Sequence, residues 1–307
     1  MVKISVVGAG MVGATVVQRL AESELGDVVM VDVVEGLPQG KALDLLESAP
    51  LCGFDVDVVG SNDYRDIESS DVVVVTAGVP RKPGMTRDDL VRINSGIVRD
   101  VCSGAVKYAS SALLLVVTNP LDVMTYAALK YTGFEPHRVL GMSGVLDSAR
   151  FASFVALELD CSVRDVQAMV IGSHGDMMVP VPGYTTVSGI PITELLSNDA
   201  VARLVSRTVN AGAEIVDLLK TGSAFYAPSA AVIRMVEALV CDRRSIMPAC
   251  VYLDGEYGLS DLCLGVPVRL GRGGVLDVIE LDLGSETMDA LHRSADSVRA
   301  ALLGLEL

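Results

Sequence analysis

The segment IGSHGDMMVP, residues 171–180, holds His174, one of three histidines in the chain, with Gly172 and Gly175 close on either side. Histidine is the side chain whose unperturbed pKa lets it take and give protons near neutral pH. Small flanking residues let a substrate come close to its ring. Asp147 lies upstream, in GVLDSAR. A carboxylate that reaches the far ring nitrogen fixes the tautomer and favours the imidazolium. The pair points to proton transfer; the plainer alternative is a histidine satisfied inside a core loop.

The net charge is −15, from 24 Lys and Arg against 39 Asp and Glu. That balance excludes nucleic acid as a partner, because such binding rests on clustered cations, and it disfavours anionic membrane surfaces. An acidic chain that handles anions must concentrate its cations locally, so single arginines matter. GVPRKPGMTRDDL (78–90) carries Arg81, Lys82 and Arg87 just after an apolar run, with Pro80, Pro83 and Gly84 among them. Loops at the C-terminal edge of an α/β sheet are where ligands bind. A Pro/Gly-hinged loop bearing guanidinium groups suits closure over an anion and exclusion of water, and Arg87 has the reach to polarise a developing alkoxide. The alternative is a solvated surface loop. Arg150 follows Asp147 by one helical turn, on a common face. It can clamp a carboxylate with two parallel bonds, or it can form an intrahelical salt bridge that draws Asp147 away from His174. Asn119 ends LLLVVTNP at the same sheet edge and can hydrogen-bond a carbonyl or hydroxyl, although Asn-Pro is also a turn initiator.

His137, after Pro136 in a turn, and His292, in the last helical stretch, have no such company. The chain has no HExxH, no paired CxxC and no acidic calcium loop, so no metal site is expected.

Gly8-Ala9-Gly10-Met11-Val12-Gly13 directly follows KISVV and opens a helical stretch. Gly8 permits a tight turn, Gly10 lets backbone approach a pyrophosphate, and Gly13 allows close helix–strand packing, with the helix N-terminus facing the phosphates. The second apolar run, VVMVDVV, brings Asp32 about 20 residues further on, where a carboxylate accepts bonds from ribose hydroxyls and repels a 2′-phosphate. A dinucleotide is the expected cofactor, NAD rather than NADP. Joined to His174, this reads as proton transfer coupled to hydride transfer.

These residues need a scaffold of short buried strands. The chain has 307 residues, 50% of them hydrophobic, and a mean hydropathy of +0.47. Runs such as VVVV (72–75) and ALLLVV (112–117) are far shorter than the ~18–20 residues of a membrane span. They resemble strands buried on both faces of a parallel sheet. Strands near 2–7, 28–33, 55–60, 71–76 and 112–117 alternate with helices over about 11–24, 39–48, 88–109 and 121–131, which predicts a doubly wound parallel sheet. Beyond a change of pattern near 143–145, helices at 146–158, 200–219 and 226–240 surround short strands. MPACVYL, LGVPVRL and VIELDL, between 247 and 281 or just beyond, read as antiparallel strands, and a helix near 285–303 follows. Two domains are expected, 1–144 and 145–307. The first residues show no charged leader before an apolar stretch. The six cysteines (52, 102, 161, 241, 250, 263) have no regular spacing, which fits reduced thiols in a cytoplasmic setting.

These motifs, in this order, resemble the lactate/malate dehydrogenase superfamily, and within it the malate dehydrogenases of the lactate-dehydrogenase-like type. The likeness runs through GAGMVG, VVEGLPQGKALDL, TAGVPRKPGMTRDDL, NPLDVMTY, GVLDSARF, SHGDMMVP and EYGLSDLCLGVPVRLG, covering essentially the whole chain. It implies an N-terminal Rossmann domain and an α+β substrate domain with antiparallel strands. It also implies reversible hydride transfer between malate/oxaloacetate and NAD(H), with His174 as acid/base and Asp147 as its orienting partner. Arg87 is then the group that polarises the reacting carbonyl, and Arg150 the one that binds the C1 carboxylate. Asn119 contacts substrate and nicotinamide, while Asn94, Val117 and Thr118 line the cofactor site beside Gly8–Gly13 and Asp32. Arg81 occupies the loop position where malate enzymes usually carry arginine and lactate enzymes glutamine, so a small dicarboxylate is the expected substrate. A homodimer or homotetramer is implied as well. Lactate or another 2-hydroxy acid is the nearest rival substrate. A dinucleotide-binding protein without chemistry is a more distant reading, opposed by the intact Arg87, Asp147, Arg150 and His174. The main departure from the familiar pattern is Ser173, where Gly-Gly-His-Gly-Asp is usual.

Overall fold

The computed structural model describes residues 2–80 and 85–305. The first half is built from β1 (Lys3–Val7), α1 (Met11–Glu22), β2 (Asp27–Val31), α2 (Leu37–Cys52), β3 (Val58–Ser61), β4 (Val72–Val75), α3 (Arg87–Tyr108), β5 (Leu113–Val116), α4 (Leu121–Thr132) and β6 (Val139–Gly141). Its strands are all parallel, in the order β3-β2-β1-β4-β5-β6. Alternate side chains along each strand enter different layers, as the pleat requires. Val72 and Val74 pack with Val16, Val17 and Leu20 of α1. Val73 and Val75 pack with α3 and α4 through residues such as Val98, Val101 and Met124. This is the doubly wound sheet that the β-branched runs predict.

The second half contributes α5 (Gly144–Leu159), β7 (Val166–Gln167), β8 (Val170–Gly172), β9 (Met178–Pro180), β10 (Thr186–Val187), β11 (Ile190–Pro191), α6 (Ile192–Leu195), α7 (Asn198–Leu219), α8 (Tyr226–Val240), β12 (Ser245–Asp254), β13 (Ser260–Gly271), β14 (Gly274–Val278) and α9 (Ser285–Leu302). The long antiparallel hairpin β12–β13 pairs with β6 at Cys250↔Gly141 and with β8 at Gly265↔Gly172. One sheet therefore runs on through β6-β12-β13-β8-β9, with β14 on β13, while β7, β10 and β11 form a small separate sheet. This continuity brings the start of α5 and the β8–β9 turn to the C-terminal edge of the parallel strands.

One expected strand lies elsewhere. VIELDL does not form a strand along its length; the edge strand is β14, and only Val278 of that run belongs to it. The Ile279 N–H still donates to the Pro267 carbonyl at 2.8 Å, but Pro267 has no N–H to return a bond, so the ladder stops. The Tyr257 hydroxyl takes over, donating to the Ile279 carbonyl (2.7 Å) and accepting from the Leu281 N–H (2.9 Å).

The β1–α1 turn shows how tightly sequence constrains the edge. Gly8 sits at φ +110°, a conformation that disfavours any side chain. A Cβ on Gly13 would overlap the Gly8 carbonyl oxygen and crowd Thr76 Oγ1 at 2.7 Å. Backbone cannot yield there as a flexible side chain would. Gly13→Ala is expected to destabilise the fold by about 3 kcal/mol through overpacking, read by urea or thermal unfolding; a variant that unfolds with the parent would contradict this packing.

Candidate active site

His174 sits on the turn from β8 to β9, and its Nδ1 lies 2.8 Å from Oδ2 of Asp147. Asp147 occupies the first turn of α5 and is 1% exposed. Because a carboxylate offers only acceptors, Nδ1 carries the shared hydrogen, and the exchangeable proton of the ring is the one at Nε2. The other Asp147 oxygen, Oδ1, accepts from Nη1 of Arg150 at 3.0 Å. The intrahelical salt bridge therefore forms without drawing Asp147 away from His174. One carboxylate serves both partners, since its two oxygens hold enough lone pairs for each. Nε of Arg150 is buried without a hydrogen-bond partner among the described residues.

The His174 backbone N–H donates to Oδ2 of Asp122, at 2.9 Å. Burial works against a charge on the His174 ring, but the Asp147 carboxylate outweighs it, and the pKa is raised above the ordinary 6.5. Arg150 opposes that rise and Asp122 assists it. The imidazole is therefore poised to hold a proton near neutral pH.

Two cavities adjoin at Asn119, and His174 lines one of them. One, of ≈ 500 Å³, is lined by Asn119, Asp122, His174, Gly175, Gly212 and Val298, among others. Gly212 of α7 closes it against Arg150, whose Nη2 lies 3.9 Å from where a Cβ on that glycine would stand. The other, of ≈ 590 Å³, runs along Gly10, Met11, Val12 and Gly13 to Val117, Thr118 and Asn119. Asn119, joined to Pro120 by a cis peptide bond, lines both.

The longer cleft fits a dinucleotide. A Cβ on Gly10 would meet nothing within 4 Å, so the backbone at the start of α1 is open to a bulky anion. Ala9 is buried, with its N–H bonded to Oδ2 of Asp32 at 2.6 Å and its carbonyl to Nζ of Lys41 at 2.6 Å. Asp32 also accepts from the Val34 N–H, at 2.9 Å, and so stands at the end of β2 with its carboxylate turned to the glycine-rich turn. Asn94 lines the cleft and ties its walls together. Its Oδ1 accepts from the Val79 N–H (2.9 Å) and its Nδ2 donates to the Asn119 carbonyl (2.6 Å). Thr118 donates to the Ala77 carbonyl at 2.7 Å.

The cationic loop is only partly in view. Arg81 lies outside the described residues, and so does the side chain of Arg87. The backbone of Arg87 opens α3, whose start is set by a capping box: Thr86 Oγ1 accepts from the Asp89 N–H, and Asp89 accepts from the Thr86 N–H, each at 3.1 Å. This pattern stabilises a helix beginning immediately after Thr86. Three contributors escape sequence reasoning. Asp122, Val298 and the 219–225 connection, which supplies Leu219, Thr221 and Phe225 to the long cleft, all reach the site through tertiary packing. The only linear hints are an acid in the first turn after Asn119-Pro120 and a small-residue gap between two helical stretches.

Residues 2–141 match the lactate/malate dehydrogenase NAD binding domain, and residues 144–303 the alpha/beta C-terminal domain of the same enzymes. A malate dehydrogenase of Methanosarcina barkeri is 58% identical over 307 residues, covering 100% of each chain. The solved malate dehydrogenase of Salinibacter ruber is 51% identical, with a TM-score of 0.94 and coverage of 98% of this chain and 97% of that one. A lactate dehydrogenase of Cryptosporidium parvum, solved with lactic acid and nicotinamide adenine dinucleotide, is 38% identical, with a TM-score of 0.95 over 98% of this chain and 97% of that one.

Replacing Asp147 by Asn leaves the burial of His174 and removes its countercharge. The His174 pKa should then fall from above 6.5 to below it, as followed by NMR of the ring in Asp147→Asn. A titration that does not move would overturn the assignment of the raised pKa to Asp147.

Proposed function

We propose that this chain, which belongs to the lactate/malate dehydrogenase family, is an NAD-dependent malate dehydrogenase interconverting oxaloacetate and (S)-malate. The observation that carries the reading is the Asp147 carboxylate held between His174 and Arg150, with His174 in the wall of the smaller cavity and Asn119 shared by both cavities. NAD, when bound along Gly10–Gly13 and Asp32, supplies the hydride acceptor and, as NADH, the hydride donor at C2 of the substrate.

The chain's own residues supply the rest. Protonated His174 gives its Nε2 proton to the C2 oxygen during reduction, and neutral His174 takes it back during oxidation. Asp147 keeps the ring in the tautomer and orientation that this needs. Arg150, with Nη1 committed to Asp147, presents its remaining N–H groups to the C1 carboxylate. That use also gives a partner to the buried Nε. Arg87 stabilises negative charge at the C2 oxygen as it develops, and Asn119 positions the same atom. Arg81 pairs with the second carboxylate. A buried guanidinium left unpaired by pyruvate is costly, so Arg81 selects the diacid and rejects the monoacid.

Residues 1–144 supply most of the cofactor cleft, and 145–307 complete it through Leu219, Thr221 and Phe225 and bring His174, Asp147 and Arg150. Assembly as a homodimer or homotetramer is supported by apolar side chains left in water on several helices, among them Leu157 (72% exposed) and Leu218 (75%). All six cysteines are unpaired, in keeping with a reducing, cytoplasmic compartment. Among the described residues, no helix is long and apolar enough to cross a membrane.

Oxaloacetate should exceed pyruvate in kcat/KM with NADH by roughly a thousandfold, about 4 kcal/mol of discrimination, measured by loss of NADH absorbance. A ratio near one, or a preference for pyruvate, would contradict the substrate assignment. Arg81→Gln should remove most of that preference, and a variant that keeps it would take Arg81 out of the specificity role. His174→Asn should abolish turnover while NADH still binds with nearly unchanged affinity; loss of NADH binding instead would place His174 in the cofactor site.

A further inference from the structure

Asp122 is the second carboxylate at His174. It lies in the first turn of α4, lines the smaller cavity and is 4% exposed. Oδ2 accepts the His174 backbone N–H at 2.9 Å, while Oδ1 is buried with no hydrogen-bond partner among the described residues. A carboxylate stripped of water with one oxygen unpaired is expensive to keep charged. Burial pushes the Asp122 pKa up to about 6, against the pull of the His174 N–H and ring. An amide oxygen would accept the same N–H. What asparagine lacks is the charge.

The surrounding groups show what that charge does. Asp147 and Arg150 face the His174 ring from α5. From β12, Cys250 lies beside Asp122, with Cys263 of β13 behind it; burial drives the Cys250 thiol pKa well up, so it stays neutral. With His174 protonated, two cations (His174, Arg150) balance two carboxylates (Asp147, Asp122). Without Asp122, the balanced state would be the one with neutral His174.

We infer that Asp122 is a positioning residue for the proposed reaction, its carboxylate fixing the His174 turn and holding the imidazole in its protonated form for reduction. The inference rests on the malate dehydrogenase reading for its catalytic meaning. Its test has a readout that needs no substrate. With only three histidines, NMR of labelled protein resolves the His174 ring, assigned by its absence in His174→Asn. Asp122→Asn should lower the His174 pKa. The fall of kcat/KM for oxaloacetate on the alkaline side should move down with it. Asp122→Ser, neutral and smaller, gives the same comparison if the amide does not fold. A His174 titration identical to the parent's would overturn the inference and reduce Asp122 to a structural acceptor. A parent protein inactive on oxaloacetate would instead remove the functional reading, while the NMR comparison still decides whether Asp122 tunes His174.

Discussion

The structure turns on a single buried carboxylate shared by two partners. Asp147 cannot be removed from water cheaply, and what makes its burial tolerable is the pair of hydrogen-bonded groups it holds, His174 at 2.8 Å and Arg150 at 3.0 Å. Each partner gains from the arrangement. The imidazole acquires a fixed tautomer and a raised pKa, and the guanidinium acquires a fixed orientation on one edge, leaving the rest of its fork for a ligand. In the proposed reaction the same three residues that stabilise one another also divide the chemistry, one for the proton and one for a carboxylate.

That triad exists because the sheet does not end at β6. Strands β12 and β13 extend it, and β8 joins by a single residue pair, Gly265↔Gly172, so the turn bearing His174 is delivered to the ligand edge of the parallel half. Asn94 does the equivalent on the other side by lacing Val79 to Asn119. The glycine-rich turn is held in a third way: the Ala9 N–H and carbonyl are both bonded, to Asp32 and Lys41. Rigid supports of these three kinds surround the buried group of His174, Asp147 and Arg150.

Sequence was most informative where a constraint is local. The spacing of Gly8, Gly10 and Gly13 reports backbone geometry that a Cβ would forbid, and the β-branched runs report burial on both faces, so the parallel half could be read almost element by element. Motif order was enough to pair His174 with Asp147. Sequence failed where the answer depends on distant packing. Asp147 looked committed to either His174 or Arg150 because spacing cannot show that it has an oxygen for each. Asp122 carries no linear signal that it meets the His174 backbone. The three-residue β6 is too short for periodicity to register, and VIELDL has strand composition but faces Pro267, which cannot complete the ladder.

The central claim is that His174, charged through Asp147, moves the proton in both directions. The direct measurement is the pH dependence of kcat/KM for oxaloacetate reduction and for malate oxidation on the same protein. Reduction needs the imidazolium and should decline as pH rises, whereas oxidation needs the neutral ring and should decline as pH falls. The account predicts that the two limbs share one apparent pKa above 6.5, because a raised histidine pKa keeps the ring protonated further up the pH scale. Profiles that are flat through this range, or limbs that fall in the same direction, would contradict it.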